Sequence, residues 1–107
     1  MFIVLRSFKV EKGFLDILSP KFLGNDALKS ADGFVKMEYL KNDKNSEFDT
    51  CIFKIYWESK DAFSNYQKSP AHKNGHKNQK EDGTPKEILD NKIETYELIE
   101  EISKNIN

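Results

Sequence analysis

Two stretches of this chain are apolar on both faces of an alternating pattern, which leaves few ways to fold it. In Phe2 to Val10 (FIVLRSFKV), Phe2, Val4, Phe8 and Val10 fall on one side and Ile3 and Leu5 on the other; Thr50 to Trp57 (TCIFKIYW) is apolar on both sides except at Lys54. Period-two alternation marks both as strands, and a strand with two apolar sides needs cover above and below. Helices supply one cover. Lys12 to Leu18 places Phe14, Leu15 and Leu18 at helical spacing; Pro20 predicts a break or kink near Ser19, before a second apolar set at Phe22, Leu23, Ala27 and Leu28. Ala31-Asp32-Gly33 reads as a turn into a second strand, Phe34 to Leu40, and a polar loop leads to Thr50. Ser59 is a good N-cap for KDAFSNYQK, where Ala62, Phe63 and Tyr66 share a face; Ser69 and Pro70 restart a helix with Pro at its first position. After the polar run NQKEDGTPKE, Ile88 to Ile99 alternates as a last strand.

The order strand, helix, strand, strand, helix, strand predicts an α+β domain of the ferredoxin-like split βαβ kind. Its helices cover one face of the sheet. The other apolar face calls for a partner, and a homodimer packed sheet against sheet is the simplest one. A chain of 107 residues has room for one such domain, 1–107, burying roughly 65% of its unfolded surface.

Composition narrows the setting. A net charge of −1 argues against a protein that works by gripping nucleic acid or an anionic membrane. The single cysteine, Cys51, can form no internal disulfide, and no other thiolates are present for a structural zinc, which fits a reducing cytoplasm. The opening lacks a basic region and a long apolar run, and no segment approaches the ~20 apolar residues of a membrane span.

Chemistry concentrates in Tyr66 to Lys77 (YQKSPAHKNGHK), which holds both histidines of the chain. From Ala62 to Lys80 there is no Asp or Glu, while Lys68, Lys73, Lys77 and Lys80 are present. On a helix begun at Pro70, His72 and His76 lie at i and i+4 and point to the same side. Gly75 costs such a helix about 1 kcal/mol relative to Ala, but it clears space where a flat ligand can approach the backbone. Imidazole, bare glycine and lysines suit a planar iron macrocycle carrying carboxylates, with one histidine as axial ligand and lysines against the propionates. The same residues also suit a solvated lysine-rich helix face. A two-histidine zinc site would need a third ligand, and Glu81 and Asp82 fall in the loop beyond.

Arg6 shares the register of Phe2, Val4, Phe8 and Val10. If helices cover that face, its guanidinium points inward and needs an anionic or hydrogen-bonding partner. A carboxylate on another strand, or an opposite register facing solvent, are the alternatives to a ligand. Tyr66 lies on the apolar face of its helix, and Trp57, at a strand end, reads as core.

The blocks MFIVLRSFKVEKG, YWESKDAFSNYQKSPAHKNGHK and NKIETYELI together resemble the haem-degrading monooxygenases of the antibiotic biosynthesis monooxygenase superfamily, the IsdG and HmoA type, most nearly its HmoA-like members. The resemblance covers nearly the whole chain; W-E-S followed by Y-x-x-S-x-A-H-x-x-G-H at fixed spacing is its most specific part. It implies a ferredoxin-like domain that dimerises through its sheets into an α+β barrel, with haem held between sheet and helices as both substrate and prosthetic group. Dioxygen and an external reductant, such as a reductase, would open the macrocycle and release iron. The family's proximal histidine falls on His76, with His72 near the haem edge, Gly75 beside it, and Lys73 and Lys77 against the propionates. The IsdG-type distal asparagine aligns with Arg6, which would donate to oxygen at the iron or hold a propionate. The tryptophan that buckles the haem aligns with Tyr66, whose smaller ring implies weaker distortion. Two further readings stay open: a cofactor-free monooxygenase of the same superfamily acting on a small quinol or polyketide, and a non-enzymatic haem-binding or stress-response dimer.

Overall fold

The structure, a computed structural model, describes residues 1–70, 72 and 84–104. Among them the order is β1 (Phe2–Glu11), α1 (Leu15–Leu23), α2 (Asp26–Lys29), β2 (Phe34–Asn42), β3 (Phe48–Trp57), α3 (Lys60–Lys68) and β4 (Ile88–Glu97). The strands form one sheet in the order β2-β3-β1-β4, every neighbouring pair antiparallel. β3 lies between β1 and β2, and β1 between β3 and β4, so each helical crossover skips one strand. This is the expected split βαβ arrangement.

The β1–β3 register decides what lies under the helices. Phe2 pairs with Trp57, Val4 with Ile55, Arg6 with Phe53, Phe8 with Cys51 and Val10 with Asp49. Paired residues of an antiparallel ladder share a face, so these ten side chains point one way, and all but Arg6 are buried. Val10 and Phe53 are sealed completely, and burial of such side chains contributes about 1.5–3 kcal/mol each. Cys51 belongs to this interior; burial pushes its thiol up to about 11, against a smaller opposite effect of a backbone hydrogen bond at Phe8. It is an inert core thiol.

α1 does not break near Ser19. It runs from Leu15 through Pro20 to Leu23 and stops at Gly24, whose N–H donates to the Pro20 carbonyl, while Asn25 N–H donates to that of Phe22. Pro20 forfeits one helical hydrogen bond, but the turn it sits in carries Phe22, whose ring stacks on Phe53 with centroids 4.2 Å apart at 14°. That packing holds the last turn together. The break falls one residue later, at Asn25, whose side chain accepts from Leu28 N at 3.1 Å and starts α2. At the other end of α1, buried Asp49 accepts from Lys12 Nζ at 2.7 Å and from Gly13 N at 3.0 Å. The hydrogen bond from Lys12 holds the Asp49 carboxyl below the usual carboxylate range, with the Gly13 N–H adding to the effect.

The opposite face of the sheet is more mixed than the alternation implies. Ile3, Leu5, Ile52, Leu40 and Tyr96 share it with Lys54, Lys36, Glu38, Lys92 and Glu94. Tyr56 stays buried there because the Lys36 and Lys54 ammonium groups lie 4.6 and 5.1 Å from its ring, while its hydroxyl donates to Glu38 Oε1 at 2.7 Å. Long lysine stems cover apolar surface while their charges stay in water.

Gly33 ties the two halves. It sits at φ +84°, and a Cβ there would lie 2.4 Å from the Ala62 Cβ, while its carbonyl accepts from Glu58 N at 2.8 Å. A side chain would push α3 off the sheet and strain the turn. Gly33→Ala is therefore expected to cost about 2–4 kcal/mol in a urea unfolding experiment; a cost below about 0.5 kcal/mol would refute this close approach.

Candidate functional site

The core under the helices is divided. Phe8, Val10, Phe14, Leu15, Leu18, Cys51 and Phe53 form one cluster, joined by Phe22, Met37, Tyr39 and Ile88. Phe2, Val4, Leu28, Ile55 and Trp57 form the other, joined by Ala31, Phe34, Ala62, Phe63 and Tyr66 and by Met37, which packs against both. Arg6 lies between them, two residues from Val4 and two from Phe8, with Phe53 as its β3 partner and Ile93 as its β4 partner.

The register of Arg6 is therefore the inward one. Its guanidinium carbon lies 5.5 Å from the Phe8 ring centroid and 5.9 Å from that of Phe22. Its Nε is buried with no hydrogen-bond partner, and among the described residues no carboxylate pairs with it. Burial lowers its pKa from the ordinary guanidinium value. Neither structural alternative for Arg6 is realised: it neither meets a strand carboxylate nor faces outward. Cation–π contacts offset part of the desolvation, about 0.5–2 kcal/mol, and leave the donors themselves unanswered.

On β4 the helix side presents Asn91, Ile93 and Thr95, all exposed. The helices pack over β3 and β2 instead. Among the described residues the helical cover thus leaves a gap over β4, with Arg6 and Phe22 of α1 at its edge.

Tyr66 lies on α3. Ser59 caps that helix, accepting from Ala62 N at 3.1 Å. The Tyr66 ring is half-buried, 5.3 Å from Trp57 and 4.8 Å from the His72 imidazole. Burial raises the Tyr66 pKa, and the Asn25 side chain partly offsets the rise; the phenol is protonated at neutral pH. Ser69 Oγ donates to the Tyr66 carbonyl at 2.6 Å and accepts from His72 N at 3.3 Å, with Pro70 helical between them. The expected Ser-Pro restart is present, and it is what brings His72 against Tyr66. Trp57 Nε1 is buried without a partner in the same cluster.

Lys73, Gly75, His76 and Lys77 lie outside the described residues. The structure thus brings Tyr66 and His72 together at the end of α3 and Arg6 to the edge of the gap. Sequence reasoning missed Phe22 and Ile93 as neighbours of Arg6. No local signal marks them: Phe22 reaches it through helix packing and Ile93 through strand register.

Two other hollows carry different chemistry. One, of about 220 Å³, is lined by Lys12, Lys41, Asp16, Asp43 and Asp49, groups that already answer one another. The other, of about 540 Å³, runs between α2 and α3 past Asp32, Glu58 and Asp61 to Tyr66; its acidic lining opposes a ligand bearing carboxylates. Among the described residues there is no cluster of three or more metal-ligating side chains, and no helix long and apolar enough to cross a membrane.

Residues 1–78 match the family model for antibiotic biosynthesis monooxygenase. A Staphylococcus saprophyticus heme oxygenase (staphylobilin-producing) is 32% identical over 106 residues, covering 96% of this chain and 100% of that protein. A candidate antibiotic biosynthesis monooxygenase from Bacillus cereus has a similar fold, with a TM-score of 0.81 at 22% identity, covering 96% of this chain and 97% of that one. The heme degrader MhuD from Mycobacterium tuberculosis, solved with two hemes in its active site, superposes with a TM-score of 0.66 at 16% identity over 96% of this chain and 100% of that one.

A guanidinium whose buried Nε goes unanswered costs stability. Arg6→Met keeps the length of the side chain and removes the charge, so in the protein without ligand it is expected to raise the unfolding free energy by about 1 kcal/mol in urea. A loss of 2 kcal/mol or more would mean that Arg6 holds the fold together.

Proposed function

This chain belongs to the antibiotic biosynthesis monooxygenase family, and we propose that it is a haem-degrading monooxygenase whose ligand lies between the sheet and the helices, over Arg6. The observation that carries this is Arg6, whose Nε is a buried donor with no partner among the described residues, in the gap between two apolar clusters. A haem fits that gap by chemistry. It is flat and apolar across its face and carries carboxylates at its edge, which a guanidinium can meet. The 32% identical relative that is a heme oxygenase supports the same reading.

Bound haem supplies an iron at which dioxygen reacts with electrons from an external reductant, so that the macrocycle is oxidised, opens and releases the iron. The chain's residues set the conditions. His76 would hold the haem iron, with Gly75 beside it, and Lys73 and Lys77 would meet the propionates. His72, against Tyr66, would lie near the haem. Arg6 would donate to it from the sheet, where apolar neighbours strengthen a hydrogen bond. Tyr66, held as a neutral phenol by burial, donates a hydrogen bond and does not compete for the iron as a phenolate. The proposed working form is a cytoplasmic homodimer that covers the open sheet face.

The test is a haemin titration of the purified protein followed by ascorbate in air. A saturable Soret band that decays while a ferrous chelator develops colour is the expected result, and His76→Ala should change the spectrum of the bound form. Tyr66 favours one rival, since a ring smaller than the family's tryptophan distorts a porphyrin less: a haem binder without turnover. A Soret band that persists through ascorbate and oxygen would establish that rival, and no band at all would remove haem from the account.

A further inference from the structure

The rung of the sheet that carries Arg6 is inverted. Where a buried and an exposed residue pair across two strands, the buried one is expected to be apolar and the exposed one charged. Here the β4 partner of Arg6 is Ile93, which is 49% exposed, while the Arg6 Nε is buried without a partner. The β3 partner, Phe53, is sealed completely. Both cross-strand neighbours of the guanidinium are therefore hydrocarbon.

β4 is not short of carboxylates. Asp90 pairs with Lys9 and Glu94 with Leu5, so both lie on the opposite face. Glu97 lies on the helix side but at the Phe2 rung, ~13 Å of strand away from Ile93. On the helix side Asn91 stands opposite Phe8 and Thr95 opposite Val4. Polar residues thus bracket Ile93, and an apolar one stands at the rung where a carboxylate would answer Arg6. The Cβ atoms of a paired rung are about 5 Å apart, within reach of a glutamate–arginine pair.

We propose that Ile93 sets the ligand specificity of the site: it withholds a partner from Arg6, reserving the buried Nε for a carboxylate of the ligand, and its exposed hydrocarbon takes the ligand's apolar face on β4. The inference rests on the haem reading above and adds which residue of the bare strand the ring lies on. A flat ligand with an anionic edge satisfies both residues at once. A neutral flat molecule leaves Arg6 unanswered, and a polar anion leaves Ile93 in water.

Placing the missing carboxylate in the chain tests it. Ile93 is half exposed on an edge strand, so Ile93→Glu keeps the fold, and identical far-UV circular dichroism checks that. In the protein without ligand, Ile93→Glu is expected to raise the urea midpoint by about 0.5 M. That rise should vanish in the Arg6→Met background, a coupling that a merely structural role for Ile93 does not produce. Haemin affinity from Soret titration is expected to fall about 10- to 100-fold in Ile93→Glu, and to stay within about fourfold in Ile93→Val, which loses one methylene. An Ile93→Glu protein that binds haemin like the unaltered one, or that shows no coupling to Arg6, would overturn the inference and leave the haem reading standing. No Soret band in the unaltered protein would overturn both.

Discussion

The pairing of β1 with β3 governs the rest of the molecule. It sets Phe2, Val4, Phe8 and Val10 against Trp57, Ile55, Cys51 and Asp49, and every one of these side chains is buried. Arg6 shares their face because strand alternation admits no exception. A slip of one residue would send Arg6 outward, but it would also turn Lys9 and Ser7 under the helices and lift Phe8 and Val10 into water. The apolar residues on either side therefore hold the guanidinium inward. The fold can keep an ill-matched residue in its interior because its neighbours gain far more than that residue loses.

Such a residue marks where stability has been traded for a task. Ordinary interiors answer their buried polar groups: here Asp49 has Lys12 and Gly13 and Tyr56 has Glu38, while among the described residues Arg6 Nε and Trp57 Nε1 go unanswered. Arg6 has only the aromatic faces of Phe8 and Phe22. A buried donor held in place ahead of any partner is what a preorganised site requires. Tyr66 and His72 show the same order, fixed in turn by Ser69 bridging the end of α3 to the restarted helix. One hydroxyl positions two site residues.

Much of this was legible in the chain. Strand alternation placed all four strands to within two residues, and Ser59, Ser69 and Pro70 announced their caps because capping is a local interaction between neighbours in sequence. Alternation put Arg6 on the face of Phe2, Val4, Phe8 and Val10 but left open whether helices cover that face, which the packing decides. Pro20 misled, because a local rule about a missing N–H met a tertiary stack, Phe22 on Phe53, between residues distant in sequence. The uncovered sheet face was anticipated as apolar and is instead studded with lysine and glutamate, since alternation records which residues face together and not how far their stems fold over one another. The split of the core into two clusters, which creates the gap above Arg6, has no signature in any single segment.

The account turns on Arg6 being kept for a ligand, and the most direct measurement is the haemin affinity of Arg6→Met beside that of the unaltered protein, from Soret titrations under the same conditions. Loss of a charge-assisted hydrogen bond in a dry site corresponds to roughly 1.5–3 kcal/mol, or about 10- to 100-fold in affinity. The account predicts a weakening of that size with the fold intact. Equal affinities would contradict it, and would mean that the buried guanidinium between the two clusters faces no ligand.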